Sequence, residues 1–150
     1  MAGDIEAGIA LIEEALRDCP AVYFSAIIRV FLAQALLARG NLAAAVEAAN
    51  ENLELSRSLG YRAHEAETLR VLGEALVSTD LGQAEGLVRQ ALDMSATLGL
   101  RVEEAHGLRI LAEIQERAGA HELAEECRSG ATARYRELKM ERWLQPAGNR

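Results

Sequence analysis

The chain has 150 residues, of which 50% are hydrophobic and only 4% aromatic. Alanine (28) and leucine (22) together fill a third of the positions, whereas valine, isoleucine and threonine together supply 18. Alanine and leucine have high helix propensity, while strands favour β-branched and aromatic residues. The composition therefore excludes a β-sandwich or barrel and makes a βαβ fold a poor fit. Because half of the residues are apolar, it also excludes wholesale disorder, and it predicts one all-α domain.

The charge balance argues against nucleic acid and membrane as partners. Lysine and arginine number 16 against 23 acidic residues, the net charge is −7, and no basic run exceeds two residues. Phosphate binding needs clustered basic side chains. The N-terminus lacks a signal-peptide pattern, and the most apolar stretch, 22–38, is short for a membrane span. The two cysteines, Cys19 and Cys127, are isolated, as is typical of a reducing compartment. We therefore expect a cytoplasmic protein.

Seven amphipathic segments and a short closing turn follow in chain order, because apolar residues recur at i, i+3, i+4 and i+7. Glycines stand where a left-handed residue commonly ends a helix, and we expect this conformation at Gly40, Gly60, Gly99 and Gly119. The predicted helices are 4–18, 22–39, 42–58, 62–79, 81–98, 102–118 and 121–138, and the predicted turn is 141–145.

The segments repeat with a period of 37–40 residues. The sequence Leu-Gly-Tyr-Arg at 59–62 recurs as Leu-Gly-Leu-Arg at 98–101, and Leu-Arg-Val-Leu at 69–72 recurs as Leu-Arg-Ile-Leu at 108–111, both at an offset of 39. A fixed period of this size is typical of an α-solenoid, in which antiparallel helix pairs bury their apolar faces against their neighbours. The predicted domain, 1–145, comprises a half-repeat at 1–19, repeats at 20–60, 61–99 and 100–140, and a capping turn at 141–145, followed by a flexible tail at 146–150.

These repeats resemble the tetratricopeptide family. In the middle unit the matching residues are Leu69, Leu72, Gly73, Leu76, Asp80, Ala84, Val88, Ala91 and Leu92. In the next unit they are Leu108, Leu111, Ala112, Gln115, Gly119, Ala124 and Ala131, and in the preceding unit they are Leu32, Ala33, Leu36, Gly40, Ala45 and Leu53. The resemblance implies a superhelix of helix pairs in which small residues let neighbouring helices approach closely.

The repeat length and the recurring Leu-Gly-x-Arg-x-x-Glu-Ala segment resemble one branch of that family. It comprises the C-terminal regions of bacterial signalling ATPases, nucleotide cyclases and maltose-activator-type transcription regulators. The resemblance implies a module that senses a ligand or contacts a regulatory protein. Because the chain opens on a half-repeat, we expect it to be a fragment of a larger bacterial signalling or transcription-regulatory protein.

No motif in the chain predicts catalysis, a cofactor or a metal. A phosphate-binding glycine loop is absent, and the His-Glu pair at 121–122 lacks the second histidine of a zinc-protease helix. The serines stand in ordinary helical contexts with no base and orienting group beside them. We therefore expect a non-enzymatic protein.

The first helix of each pair is expected to line a concave binding face. The predicted positions are Ile27, Val30, Gln34 and Leu37 in the first unit, Glu67, Arg70, Glu74 and Val77 in the second, and His106, Arg109, Glu113 and Glu116 in the third. Two interpretations of Arg70 and Arg109 stay open: exposed ion pairs with a glutamate four residues on, or an arginine ladder that binds an acidic peptide. The carboxylate clamp of chaperone-binding family members needs Lys and Asn where this chain has Val30 and Gln34.

The helix at 22–39 is apolar around almost its full circumference, which is unusual at the edge of a repeat array. Neighbouring helices could cover it, or it could form an apolar floor to the groove or a homodimer contact. Met140 and Trp143 are expected to hold the closing turn onto the last helix pair. The predicted function is therefore a protein-interaction or sensor module that binds a peptide or helix on the concave face. The alternatives are homodimerisation through helix 22–39 and small-molecule sensing.

Overall fold

A computed structural model describes residues 2–18 and 22–144 of the chain. Across these ranges the protein is all-α, with antiparallel helices packed in chain order, as expected for a helical repeat array. Cys19 and the predicted tail at 146–150 lie outside the described residues. The helices are α1 (Ala2–Asp18), α2 (Val22–Arg39), α3 (Leu42–Ser58), α4 (Arg62–Leu76), α5 (Leu81–Leu98), α6 (Arg101–Arg117) and α7 (His121–Glu137), followed by a short 3₁₀ helix, η1 (Glu141–Leu144).

Local sequence signals end most of these helices. The prediction of left-handed glycines is confirmed at all four positions, where φ lies between +70° and +84°. Lys139 adopts φ +55° after α7, where no glycine is present. Helix α4 is shorter than predicted and ends at Leu76 instead of residue 79: the Val77 N–H donates to Glu74, three residues back, and the N–H groups of Thr79 and Asp80 both donate to the Leu76 carbonyl. Asp80 then caps α5 by accepting a hydrogen bond from the Gln83 backbone.

Helix α4 occupies the centre of the packing. Each helix packs against the next one in the chain, and α4 additionally contacts α2 and α6. The helices α2, α4 and α6 therefore lie side by side. In the described part of the chain, no such contact joins α3 to α5 or α5 to α7.

Small residues and one buried polar pair bring neighbouring helices together. A Cβ atom on Gly73 would lie 2.6 Å from a methyl group of Val88, so α4 and α5 approach closely there. A Cβ atom on Gly107 would lie 2.8 Å from the Leu92 side chain, on the interface of α5 with α6. Between α3 and α4, the fully buried Asn52 side chain donates to the hydroxyl of Thr68 over 2.8 Å.

Helix α2 buries one side and exposes another. Ala26, Val30 and Ala33 are fully buried, whereas Phe24 and Phe31 remain 56% and 50% exposed. The described neighbouring helices therefore cover α2 only in part. No helix within the described ranges is long and apolar enough to cross a membrane.

Candidate binding groove

An open cavity of about 640 Å³ crosses the face formed by α2, α4, α6 and η1. We call this cavity the groove. Helix α2 lines the groove with apolar side chains and one amide, whereas α4 and α6 supply mainly charged side chains. Its lining residues are Gln34, Leu37, Ala38, Glu67, Arg70, Glu74, Glu103, His106, Arg109, Glu113, Arg142 and Trp143.

Ion pairs between α4 and α6 form the middle of the groove. The Arg70 Nε atom donates to Glu103 over 2.5 Å, and its Nη1 atom lies 3.4 Å from Glu74. Glu74 also accepts a hydrogen bond from Arg109 of α6. The Arg70 side chain is only 7% exposed. Because both arginines are bound by carboxylates of the protein itself, their charge is largely neutralised before any ligand arrives.

This network changes both interpretations of the two arginines. Arg70 pairs with Glu74 four residues on, but the pair is largely buried and shares its charges with α6. Arg109 bonds back to Glu74 of α4, and Glu113 instead pairs with Arg117 over 2.9 Å. The arginines are therefore neither exposed helical pairs nor an open ladder.

An aromatic cluster closes the η1 end of the groove. The Trp143 ring stacks on Tyr135 at a centroid distance of 5.8 Å and meets His106 edge-on at 4.5 Å. The Arg109 guanidinium lies 5.6 Å from the centre of the Trp143 ring, within cation–π range. Met140 packs against the same cluster. Trp143 therefore attaches η1 to the last helix pair, as expected, and also lines the groove.

His106 is held neutral within this cluster. Its Nδ1 atom lies 2.9 Å from the Tyr135 hydroxyl. Burial, with the charges of Arg70 and Arg109, lowers the pKa of His106 to about 3. At neutral pH the imidazole therefore adds no positive charge to the groove.

At the other end of the groove, the pKa of Glu67 is shifted in the opposite direction to that of His106. One of its oxygens accepts a hydrogen bond from the Gln34 amide over 2.9 Å, which links α2 to α4. Burial raises the pKa of Glu67, the nearby charge of Glu103 raises it further, and Arg70 and Gln34 partly oppose these effects. These surroundings therefore disfavour the charged form of the Glu67 carboxyl group.

Eight of the ten main predicted binding positions line the groove: Gln34, Leu37, Glu67, Arg70, Glu74, His106, Arg109 and Glu113. Val30 departs from the prediction, because it is fully buried in the core and does not line the groove. Ile27 is half-buried and lies outside the lining. The further positions Val77 and Glu116 also lie outside it, since Val77 is buried and Glu116 binds His121 and Arg128.

Four lining residues were missed: Ala38, Glu103, Arg142 and Trp143. Glu103 lies one helical turn before His106, so extending the predicted stripe by three residues would have found it. Trp143 carries a signal as the chain's single tryptophan, but its position in the sequence predicts only a capping role.

Comparison with known proteins gives no family: no protein-family model and no curated protein matches the chain. Among the described residues, no group of three or more histidine, cysteine, aspartate or glutamate side chains is placed to hold a metal ion. The groove's own geometry is therefore the basis for a functional proposal.

Proposed function

We propose that the protein is a non-catalytic interaction module that binds a segment of another polypeptide in the groove, as part of a larger bacterial signalling or transcription-regulatory protein. The observation that carries this proposal is the position of the groove across α2, α4, α6 and η1. A site that spans several helices suits an extended chain or a helix. Its volume of about 640 Å³ is also that of a typical ligand site.

The proposal includes a tetratricopeptide-type superhelix with α2, α4 and α6 on its inner side. The 39-residue offset between equivalent positions supports this arrangement. So do the contacts of α4 with α2 and α6, which α5 does not make with α3 or α7 in the described part of the chain. Helices on the inner side of a curved array lie closer together than those on the outer side.

The chemistry of the lining favours binding over catalysis. None of the lining residues is a serine, threonine or cysteine that could act as a nucleophile. His106, the imidazole in the groove, bonds to Tyr135 and has a pKa of about 3, which makes it a weak base at neutral pH. Ion pairs join α4 to α6 across the groove, and a preformed site binds at a lower entropic cost.

Selection of peptides from a displayed random library tests this function. Ala38 is exposed and lines the groove, whereas Ala43 is exposed on α3 and does not. We expect the selected peptides to bind the parent protein and Ala43→Trp equally, and to bind Ala38→Trp at least tenfold more weakly. Circular dichroism of both variants checks the fold. Equal binding by all three proteins, or a library without binders, would contradict the proposal.

Homodimerisation through α2 is the second candidate. Phe24 and Phe31 lie seven residues apart, two helical turns along one face, and both are about half exposed. Sedimentation equilibrium over a concentration series tests it with Phe31→Glu, and Leu123→Glu on α7 serves as the control because Leu123 is 49% exposed. A dimer that only Phe31→Glu dissociates supports this candidate, whereas a parent protein that stays monomeric removes it.

A further inference from the structure

Glu67 differs from the three other glutamates of the groove in its partners. Glu74 is bound by two arginines, Glu103 by Arg70 and Glu113 by Arg117. Glu67 accepts its hydrogen bond from the neutral amide of Gln34 instead. Its contact with a basic side chain is with His64, whose Nδ1 atom lies 3.9 Å away. Within the described part of the chain, no arginine or lysine forms an ion pair with Glu67.

Glu67 and Glu103 each use one carboxylate oxygen in a hydrogen bond, and the second oxygen of Glu67 lies 3.9 Å from His64 Nδ1. One oxygen of Glu67 is bound by Gln34, and one oxygen of Glu103 is bound by Arg70. The second oxygen of each side chain accepts no hydrogen bond from the described residues. These two acceptors come from neighbouring helices, α4 and α6, and both side chains line the same cavity.

The surroundings of Glu67 disfavour its charged form in the free protein. Burial is the main cause, and the repulsion between Glu67 and Glu103 adds to it. A bound cation would remove that repulsion and supply the missing hydrogen-bond donors. Favourable interactions that the folded protein lacks until a ligand binds contribute directly to affinity.

The surrounding lining matches a long basic side chain. Leu37 and Ala38 supply apolar surface beside Gln34, and the methylene stem of a lysine or arginine packs well on such a surface. The lining carries four glutamates and three arginines, and two of those arginines, Arg70 and Arg109, are engaged by glutamates. An acidic ligand would instead meet the charges of Glu67 and Glu103.

We propose that the groove receives a lysine or arginine side chain of the bound polypeptide, with its cationic nitrogens between Glu67 and Glu103 and its stem along Leu37 and Ala38. This inference rests on the proposed function and adds the chemistry of the ligand. It replaces the acidic peptide of the sequence interpretation with a basic one.

Titration with single-residue probes tests the inference independently of any selected peptide. The probes are N-acetyl-arginine methylamide, the lysine equivalent and the neutral, nearly isosteric citrulline equivalent. The readout is the side-chain amide resonance of Gln34, since this group donates to Glu67. We expect the arginine or lysine probe to shift that resonance in a saturable manner, and the citrulline probe to leave it unchanged.

Glu67→Gln is the informative variant, and Glu113→Gln is its matched control. Both residues line the groove, but Glu113 is 44% exposed and already paired with Arg117. We expect Glu67→Gln to lose at least tenfold in affinity for the basic probes and Glu113→Gln to bind like the parent. Selected peptides that bind the groove but keep their affinity for Glu67→Gln would overturn the inference and leave the proposed function standing.

Thermal unfolding separates a binding role of Glu67 from a structural one. Because burial and Glu103 disfavour the charged form of Glu67, Glu67→Gln is expected to melt at or above the temperature of the parent protein at neutral pH. A clearly lower melting temperature would show that the carboxylate supports the fold. A lower melting temperature of this kind would overturn the inference. So would an equal response to the citrulline and arginine probes, or no response to any probe.

Discussion

Helices α4 and α6 occupy equivalent places in successive units, 39 residues apart, yet their groove faces carry different charges. Both have an arginine at the same position, Arg70 in α4 and Arg109 in α6. One turn earlier α4 carries Glu67, whereas α6 carries His106, and the pKa shifts of both groups favour their neutral forms. The lining therefore changes along the groove from a carboxyl group beside the Gln34 amide to an imidazole within an aromatic cluster. A repeat can thus keep its register while each unit contributes a different chemistry.

The buried faces of the same two helices differ as well. Thr68 of α4 receives a hydrogen bond from Asn52, and the equivalent positions 39 residues on are Gly107 and Ala91. At Gly107 the space is filled by the side chain of Leu92. One interface therefore uses a polar pair and the other uses close approach with a leucine, so equivalent substitutions should have unequal effects.

The largest inequality is expected for Leu69→Ala and Leu108→Ala. Leu69 is fully buried, and its removal should cost about 2–5 kcal/mol of unfolding free energy. Leu108 is only partly buried, so its truncation should cost roughly 1–2 kcal/mol, since less apolar area is lost. Urea unfolding of both variants measures the difference. Equal losses would show that α6 is packed as tightly as α4.

The second largest effect is expected for the change of unfolding free energy at acid pH, to which His106 contributes. Burial, with Arg70 and Arg109, lowers its folded-state pKa to about 3, below the ordinary value of 6.5. Between these two values the unfolded chain binds the proton and the folded chain does not, so stability falls as the pH falls through this window. The contribution to the slope is at most about 1.4 kcal/mol per pH unit. His106→Gln should flatten the pH profile between about pH 6.5 and pH 3, and parallel profiles would contradict this expectation.

Smaller effects are expected when alanine replaces the two interface glycines. In Gly73→Ala the new methyl group meets Val88, which is stiff, and the Ala84 carbonyl oxygen at 3.2 Å. Overpacking of this kind costs roughly 1–3 kcal/mol, of which the helix propensity of alanine returns up to about 1 kcal/mol. In Gly107→Ala the contact is the mobile end of Leu92, so we expect almost no net change. Thermal unfolding of both variants measures these two changes in stability.

The smallest effect is expected for the polar pair between α3 and α4. A double-mutant cycle with Asn52→Ala and Thr68→Ala should give a coupling energy of about 1 kcal/mol, the net value of a buried neutral hydrogen bond. Removing Asn52 also removes its unpartnered Oδ1 atom, which limits the loss. A coupling energy near zero would mean that the pair serves only to fill space.

Local signals made most of the fold predictable. Apolar spacing gives the number and order of the helices, and glycine ends four of them because the left-handed conformation favours a residue without Cβ. Helices α4 and α7 end without a glycine: α4 ends in a turn with hydrogen bonds to the Leu76 carbonyl, and Lys139 takes the left-handed conformation after α7.

The groove residues are predictable from the sequence where one face of a helix lines the cavity. They are not predictable where the partners of a residue lie on other helices. On α4 and α6 the stripe containing Arg70 and Arg109 faces the cavity as predicted. Helix α2 is apolar all round, so its sequence indicates no preferred face, and Val30 was assigned to the groove although it belongs to the core. The bond from Arg70 to Glu103, 33 residues away, depends on how two helices are placed relative to each other.

The central position of α4 has a consequence for how the molecule opens. Helix α4 packs against α2, α3, α5 and α6, whereas α1 packs only against α2 among the described elements. In an array held together by neighbour contacts, the ends open first and the middle opens only with global unfolding. Backbone amides of α4 should therefore exchange with deuterium last, and those of α1 should exchange early. The part of the groove lined by Glu67 would then remain intact while the ends of the molecule fluctuate.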